Sequence, residues 1–311
     1  MSELNPVLIK ELRGRMRGAR AFTVLTIYLL ILSGVILLFY AAISGDSNMD
    51  LNSGRTIGSD LFQLIAGVAL IEVCVITPAL TAGSIAGEKE RQTYDLLITS
   101  LLSPWQIVWG KLAAALSYAL ILILSIVPMM SLAFLFGGVS PIEVLIALVG
   151  LLTTALFYAA IGLFWSAALR STLGATSLAL GSIMMMLLGI PFLGLIFSLI
   201  FGRDLPPEWM NSAAFAYIAG AFLYSHPFIA LYDAKTQIAS GKSPFFTSVP
   251  IGSDLSARNT LLAPSPWLAY VLLALIFTAI LLFLSVRMLQ PEPAERPSAA
   301  GRPAPARAEE R

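Results

Sequence analysis

The stretch 83–111, GSIAGEKERQTYDLLITSLLSPWQIVWGK, separates two long apolar segments and carries five charged side chains within eight positions. These side chains are Glu88, Lys89, Glu90, Arg91 and Asp95. The sequence then becomes amphipathic and returns to apolar residues. A protein that only resides in lipid has no need of such a segment, whereas one that receives force from a soluble partner does. The stretch therefore predicts a membrane protein with a partner-facing loop.

The composition places most of the chain in a bilayer. Of its 311 residues, 58% are hydrophobic and 12% are charged, whereas soluble proteins carry about 25% charged residues. The net charge of +1 gives no indication of nucleic-acid binding. The single cysteine, Cys74, lies in an apolar run, so an internal disulfide and a cysteine-rich zinc site are excluded.

We expect an all-α polytopic membrane protein, because six apolar segments each approach the ~20 residues that a bilayer crossing needs. The predicted spans are 21–43, 61–82, 111–136, 142–169, 173–201 and 266–288. The remaining parts are the amino-terminal segment 1–20, the loop 83–110, the loop 202–265 and the tail 289–311. The tail is rich in Pro, Ala, Arg and Glu and is predicted to be disordered.

The distribution of basic residues predicts the orientation of these spans. Of the 19 Lys and Arg residues, 14 fall on the side of both termini and five on the other side. Cytoplasmic loops carry the excess of Lys and Arg. Both termini are therefore expected in the cytoplasm, as is the loop 83–110, and the loop 202–265 is expected outside.

Residues 213–231, AAFAYIAGAFLYSHPFIAL, are apolar enough to form a seventh span, which would place the tail outside. His226-Pro227 interrupts this stretch near its end, and proline breaks a helix. We favour a hairpin that dips into the membrane or packs at its surface. A loop as long as 202–265 is unusual without a function, so a folded outer cap or gate is expected.

The amino-terminal segment predicts a helix on the membrane surface. Asn5 can cap a helix that has Pro6 at its first position. The basic residues that follow recur at spacings of 3, 4 and 3 on one helical face: Lys10, Arg13, Arg17 and Arg20. This pattern is typical of an interfacial helix among anionic headgroups. An ordinary basic flank that follows the positive-inside rule is the alternative.

The sequence lacks the motifs of several enzyme classes. It has no GxxxxGK[ST] phosphate loop, no HExxH pair and no Asp-rich pair for a magnesium-bound diphosphate. The single histidine, His226, precludes a multi-histidine metal site, and its expected role is packing in the loop. No nucleophile elbow is present. We therefore expect a non-enzymatic chain with no catalytic, cofactor-binding or metal residues of its own.

Glu72 is the one charged residue near the middle of a predicted span. A carboxylate at that depth is costly and should face the bundle interior or water. It could belong to a substrate pathway or a subunit interface, or it could be a protonated, hydrogen-bonded packing residue. Three prolines also interrupt spans, and each frees a backbone carbonyl that a neighbour must satisfy. They are Pro78, Pro128 and Pro191.

The segment 83–111 itself predicts two capped helices. Gly87 is expected to loosen or end the second span. Thr93 can cap a short helix over 93–99, with Asp95 in its first turn. Ser103 and Gln106 match a capping box with Pro104 between them, so a new helix is expected to begin at Pro104.

Two stretches resemble the bacterial ABC type-2 permeases. NPVLIKELRGR at 5–15 looks like their amino-terminal signature. PALTAGSIAGEKERQTYDLLITSLLSPWQIVWGKL at 78–112 is similar to the end of their second span and their coupling loop. Ser100 and Leu101 stand where that family often has a proline. The six-span layout extends the general resemblance over about 288 residues.

The resemblance implies a permease that forms half of a transmembrane dimer with a second copy or a sister chain, in the bacterial inner membrane. Each half would dock a separate ATPase subunit, which holds the ATP and Mg, and closure of the ATPases would usually drive export. Residues 1–20 would form an elbow helix, and the segment before the last span would form an outer gate. The implied ATPase contacts are Glu88, Lys89, Glu90, Arg91, Thr93, Tyr94, Asp95, Leu96 and Leu97.

Two other functions remain open on the sequence. An ion- or proton-coupled secondary transporter could use Glu72, although such folds usually show inverted repeats and more charges at mid-membrane. A membrane-bound enzyme of lipid metabolism would need a cluster of acids, histidines or nucleophiles, and no such cluster is apparent in the sequence.

Overall fold

The computed structural model describes residues 6–16, 19–44, 51–94, 102–201, 209, 212–250 and 260–290. Within these ranges the chain forms nine long helices and one β-hairpin. The helices are α1 Pro6–Met16, α2 Ala19–Ser44, α3 Leu51–Glu90, α4 Pro104–Phe136, α5 Pro141–Ala168, α6 Thr172–Phe201, α7 Ala213–Tyr224, α8 Pro227–Ala239 and α9 Pro266–Leu289. The strands β1 Phe246–Pro250 and β2 Thr260–Pro264 pair antiparallel.

Six helices are long and apolar enough to cross a membrane: α2, α3, α4, α5, α6 and α9. The predicted class, an all-α polytopic membrane protein with six spans, is therefore confirmed. The predicted tail falls mostly at 291–311, outside the described residues.

Ser-Pro pairs begin several of these helices. Proline suits the first helical position because its missing N–H would be unpaired there in any case. Before α4, the Ser103 hydroxyl accepts from the Gln106 N–H, and the Gln106 side chain accepts from the Ser103 N–H, which confirms the predicted capping box. Before α5, Ser140 caps the helix in the same way by accepting from the Glu143 N–H.

Helix α3 is longer than the sequence predicts. Its 40 residues give a length of about 60 Å at 1.5 Å per residue, roughly twice the hydrocarbon thickness of a bilayer. The expected end at Gly87 is wrong, because the helix continues to Glu90. A Cβ on Gly87 would lie 3.3 Å from the Thr172 methyl carbon. The glycine therefore permits close approach of α6 instead of ending α3.

Helices α3 and α5 form the centre of the bundle. A Cβ on Gly162 would lie 2.8 Å from the Pro78 carbonyl oxygen, so only glycine allows the two helices to approach this closely. Nearby, the Ser166 hydroxyl accepts from the N–H groups of Ile85 and Ala86, both at 2.9 Å. Apolar side chains of α2, α4 and α9 complete the core around this pair.

The two ends of the bundle differ. We call the end where α3 finishes and α4 begins the Lys111 end. The other, the hairpin end, carries α7, α8, β1 and β2. Helices α7 and α8 are bent by 111° at a short break, and each is too short to span a bilayer alone. This geometry fits a hairpin and a single broken span equally, so the favoured hairpin stays a prediction. The β-hairpin was not predicted.

Candidate functional site

A buried lysine organises the Lys111 end. The Lys111 side chain, in the third turn of α4, is only 1% exposed. Its ammonium donates to Glu11 Oε1 at 3.0 Å, to Glu88 Oε1 at 3.1 Å and to the Ser84 carbonyl at 2.8 Å. A lysine ammonium has three donors and no acceptor, so each of its protons has a partner. We call Lys111, Glu11, Glu88 and Ser84 the Lys111 cluster.

The Lys111 cluster joins three elements that are distant in sequence: α1 through Glu11, α3 through Ser84 and Glu88, and α4 through Lys111 itself. A buried charge is retained only when it is paired and hydrogen-bonded. Moving α1 or the end of α3 would therefore disturb the same ammonium. From the sequence, Lys111 was interpreted only as the point where the chain returns to the membrane. Glu11 was not selected as a functional residue. The available signal was a lysine at the start of an apolar span.

The last turn of α3 also holds the junction between α5 and α6. The Lys89 ammonium donates to the Ala167 carbonyl at the end of α5 and lies 5.2 Å from the centre of the Tyr94 ring. Glu90 Oε2 accepts from the backbone N–H of Thr172 at 3.0 Å and from its hydroxyl at 2.6 Å. This carboxylate therefore sits at the first residue of α6, where a helix favours an anion.

Helix α3 ends in a Schellman motif. The Thr93 N–H donates to the Glu88 carbonyl at 2.9 Å, and the Gln92 N–H donates to the Lys89 carbonyl at 3.2 Å. Gln92 adopts a φ of 57°, at the position where such motifs usually carry glycine. The Thr93 hydroxyl donates back to the Glu88 carbonyl at 3.3 Å. The helix that Thr93 was expected to cap lies almost entirely outside the described residues.

The residues predicted to contact an ATPase thus fall into distinct groups. Glu88 and Lys89 point inward and bond other parts of the chain. Glu90 is exposed but bonds Thr172, and Arg91 and Thr93 are exposed beside it. Tyr94 is half-buried against the apolar cluster at this end. Asp95, Leu96 and Leu97 lie outside the described residues. The exposed face is therefore centred on 90–93.

A groove of about 750 Å³ lies beside this face. Its lining comes from α1, the end of α3 and the start of α6: Lys10, Glu11, Gly83, Ser84, Gly87, Glu88, Glu90, Arg91, Thr93 and Thr172. Both signs of charge meet at its rim, because Lys10 and Arg91 stand near Glu11 and Glu90. A groove of this size with mixed charges suits the side chains of a protein partner better than a single small ion.

Helix α1 presents basic side chains at the protein surface. Lys10 and Arg13 are exposed, whereas Val7 is 7% exposed. With Pro6, Ile9 and Gly14 the two basic residues line a second open groove. Of the other predicted surface residues, Arg17 and the Arg20 side chain lie outside the described residues, as does the expected cap Asn5.

Glu72 lies far from this site along α3. Its side chain is 8% exposed, and neither carboxylate oxygen has a hydrogen-bond partner among the described residues. The buried Tyr28 hydroxyl of α2 also lacks a partner there. Within the same residues, no group of three or more His, Cys, Asp or Glu side chains is placed to hold a metal.

Six apolar helices around a buried core, with charged clusters confined to their ends, define a multi-pass membrane protein. A family model described as ABC-2 family transporter protein matches residues 47–287. The chain therefore belongs to the ABC-2 family, whose members are membrane permeases of ABC transporters, and the resemblance seen in the sequence is confirmed. A search of curated proteins finds no match.

Proposed function

We propose that this permease is the transmembrane subunit of an ATP-driven exporter and that separate ATPase subunits drive it through the segment 83–111. The observation that carries the proposal is the arrangement at the Lys111 end. An exposed, mixed-charge face at 90–93 is continuous with a turn that is bonded to α4, α5 and α6, and through Lys111 to α1. A force applied to that face would reach these four helices.

The proposed contact surface has two parts. Arg91, Thr93 and Tyr94 form the described part, and Asp95, Leu96 and Leu97 extend it. Glu88, Lys89 and Glu90 hold the surface in place by bonding Lys111, Ala167 and Thr172. ATP and Mg would be bound by the ATPase, and this chain would contribute no group to hydrolysis. Its role is to convert closure of the ATPases into movement of α3 and α4.

We further propose that the permease pairs with a second copy or a sister chain in the bacterial inner membrane, with both termini cytoplasmic. Helices α2 and α6 support this, because in each the most apolar stretch is only 11% buried within the chain. Such faces need lipid or another subunit to cover them. The basic face of α1 would lie at the cytoplasmic surface, where Lys10 and Arg13 meet anionic headgroups.

The proposal is tested by co-purification of the permease with ABC ATPase subunits encoded in the same genome. Arg91→Glu reverses a charge on the exposed face, and we expect it to reduce the recovered ATPase strongly without changing the amount of permease in the membrane. Lys242→Glu, an equal reversal on an exposed lysine at the hairpin end, is the matched control. Equal recovery of ATPase with both variants would refute the proposed contact.

A secondary transporter that uses Glu72 is the second candidate, because that buried carboxylate lacks a partner among the described residues. Transport by membrane vesicles decides between the two. Export that requires ATP and continues with Glu72→Gln supports the ATP-driven permease. Transport that runs without ATP and stops with Glu72→Gln supports the second candidate.

A further inference from the structure

The hairpin end contains a hydrogen bond that Pro191, inside helix α6, makes necessary. In a regular helix, residue 191 would donate its N–H to the carbonyl of Leu187. Proline has no N–H, so the Leu187 carbonyl loses its partner within α6. An unpaired carbonyl in an apolar environment is costly, and another donor is therefore needed.

The donor comes from His226, at the break between α7 and α8. Its Nε2 lies 3.0 Å from the Leu187 carbonyl oxygen, and its Nδ1 accepts from the Ile229 N–H at 3.3 Å. Because Nδ1 accepts, the ring proton must be on Nε2, which donates to Leu187. The residue is 5% exposed, and both ring nitrogens are used.

The same ring also defines the start of α8. His226 is the residue that caps this helix, with Pro227 in the first position, and its ring lies 5.7 Å from the ring of Phe228. One side chain thus caps α8 at its bend from α7 and joins that bend to α6 at Leu187. The two nitrogens have different functions: Nδ1 caps α8, and Nε2 bonds α6. A side chain that keeps only one of these groups would keep only the corresponding function.

We propose that His226 is a positioning residue that latches the α7–α8 hairpin to α6 at Leu187, one turn before Pro191, so that the hairpin moves with α6 when the permease changes conformation. The latch supplies the N–H that Pro191 lacks. It is independent of the proposed ATPase contact, because every group involved lies at the hairpin end and can be studied in the permease alone.

The two residues can be tested in a double-mutant cycle. His226→Asn keeps a side chain that caps helices well but is too short to reach Leu187. Pro191→Ala restores an N–H at position 191, which can bond the Leu187 carbonyl within α6. We expect His226→Asn alone to lower the Tm of the purified permease by several degrees and to increase the mobility of a spin label at Ile218→Cys in a Cys74→Ala background. Ile218 is an exposed position of α7.

The decisive result is the behaviour of the double variant. With Pro191→Ala present, Leu187 no longer needs His226, so the added effect of His226→Asn on the Tm should fall to within error. Ser212→Ala, which removes the α7 cap that accepts from Phe215, is the control and should have the same effect in both backgrounds. If His226→Asn fails to fold, two other variants are compared: His226→Gln, whose amide keeps a donor for Leu187, and His226→Leu, which has none. Equal effects of His226→Asn in the two backgrounds, or a loss on His226→Gln as large as on His226→Leu, would overturn the latch.

Discussion

The two ends of this permease are held together by different chemistry. At the Lys111 end, an ammonium and two carboxylates from three helices meet in a buried cluster. At the hairpin end, most ties run from neutral donors to backbone carbonyls: Trp267 to Pro244 at 2.6 Å, Tyr217 to Leu262 at 2.9 Å and His226 to Leu187 at 3.0 Å. Each end is bonded across the chain, but among the described residues only the Lys111 end pairs a fully buried ammonium with two carboxylates.

The difference teaches how each end should respond to damage. Removing one partner of a buried ion cluster leaves the others unpaired and costs about 3–5 kcal/mol, whereas a neutral hydrogen bond contributes about 0.5–1.5 kcal/mol. At the Lys111 end, the loss of any one member of the cluster should therefore remove the stabilisation that the whole cluster provides. The hairpin end should weaken in small, separable steps.

Lys111→Met is expected to have the largest effect. It leaves the Glu11 and Glu88 carboxylates facing each other without their shared cation, so we expect a loss of about 3–5 kcal/mol of stability. Thermal unfolding of the purified permease measures this. Adding Glu11→Gln and Glu88→Gln should recover part of the lost Tm, because the repulsion is then removed. A Lys111→Met variant as stable as the parent would refute the claim that buried charge stabilises the Lys111 end more than neutral hydrogen bonds stabilise the hairpin end.

Trp267→Phe is expected to have an intermediate effect. It removes the indole N–H and leaves the Pro244 carbonyl without that donor, at a cost of about 1–2 kcal/mol. Because no charge is involved, the decrease in Tm should be the same at low and high salt. Trp209→Phe is the control, since Trp209 is 55% exposed. A marked salt dependence for Trp267→Phe would contradict the neutral character assigned to this end.

Lys235→Met examines a lysine that bonds across the fold at the hairpin end. Lys235 donates to the Ser59 carbonyl at 3.0 Å, and its charged partner Asp60 is 3.8 Å away and 67% exposed. Exposed ion pairs contribute about 0–1 kcal/mol, so the Tm should fall far less than with Lys111→Met. A loss equal to that of Lys111→Met would show that buried charge matters at both ends.

Gln92→Gly is expected to have the smallest effect, and a stabilising one. Gln92 holds a φ of 57° at the end of α3, and glycine adopts this conformation without a steric penalty. We expect a gain of up to about 1 kcal/mol, seen as a small rise in Tm. Arg91→Gly, at the preceding residue, should not raise the Tm and serves as the control.

Local patterns were sufficient for much of this architecture. The six spans follow from apolar length, and the start of α4 follows from Ser103, Pro104 and Gln106, which act within one turn. Gly87 was misjudged because its role depends on Thr172, 85 residues away. Glu11 was missed for the same reason, since its bond to Lys111 crosses the fold. The β-hairpin also escaped prediction, because its strands are short and each contains proline.

The unbroken length of α3 has one more consequence. The helix carries Asp60 and Ser59 toward Lys235 near one end and Ser84 and Glu88 toward Lys111 near the other. A helix turns about 100° per residue, so inserting one residue between these anchor points would rotate one set of contacts by that angle relative to the other. The length of α3 thus fixes the angle between the contacts that it makes at the two ends of the permease. The number of residues between Asp60 and Ser84 is therefore constrained as strictly as the chemical character of those residues. A single insertion in this segment should be more harmful than most substitutions.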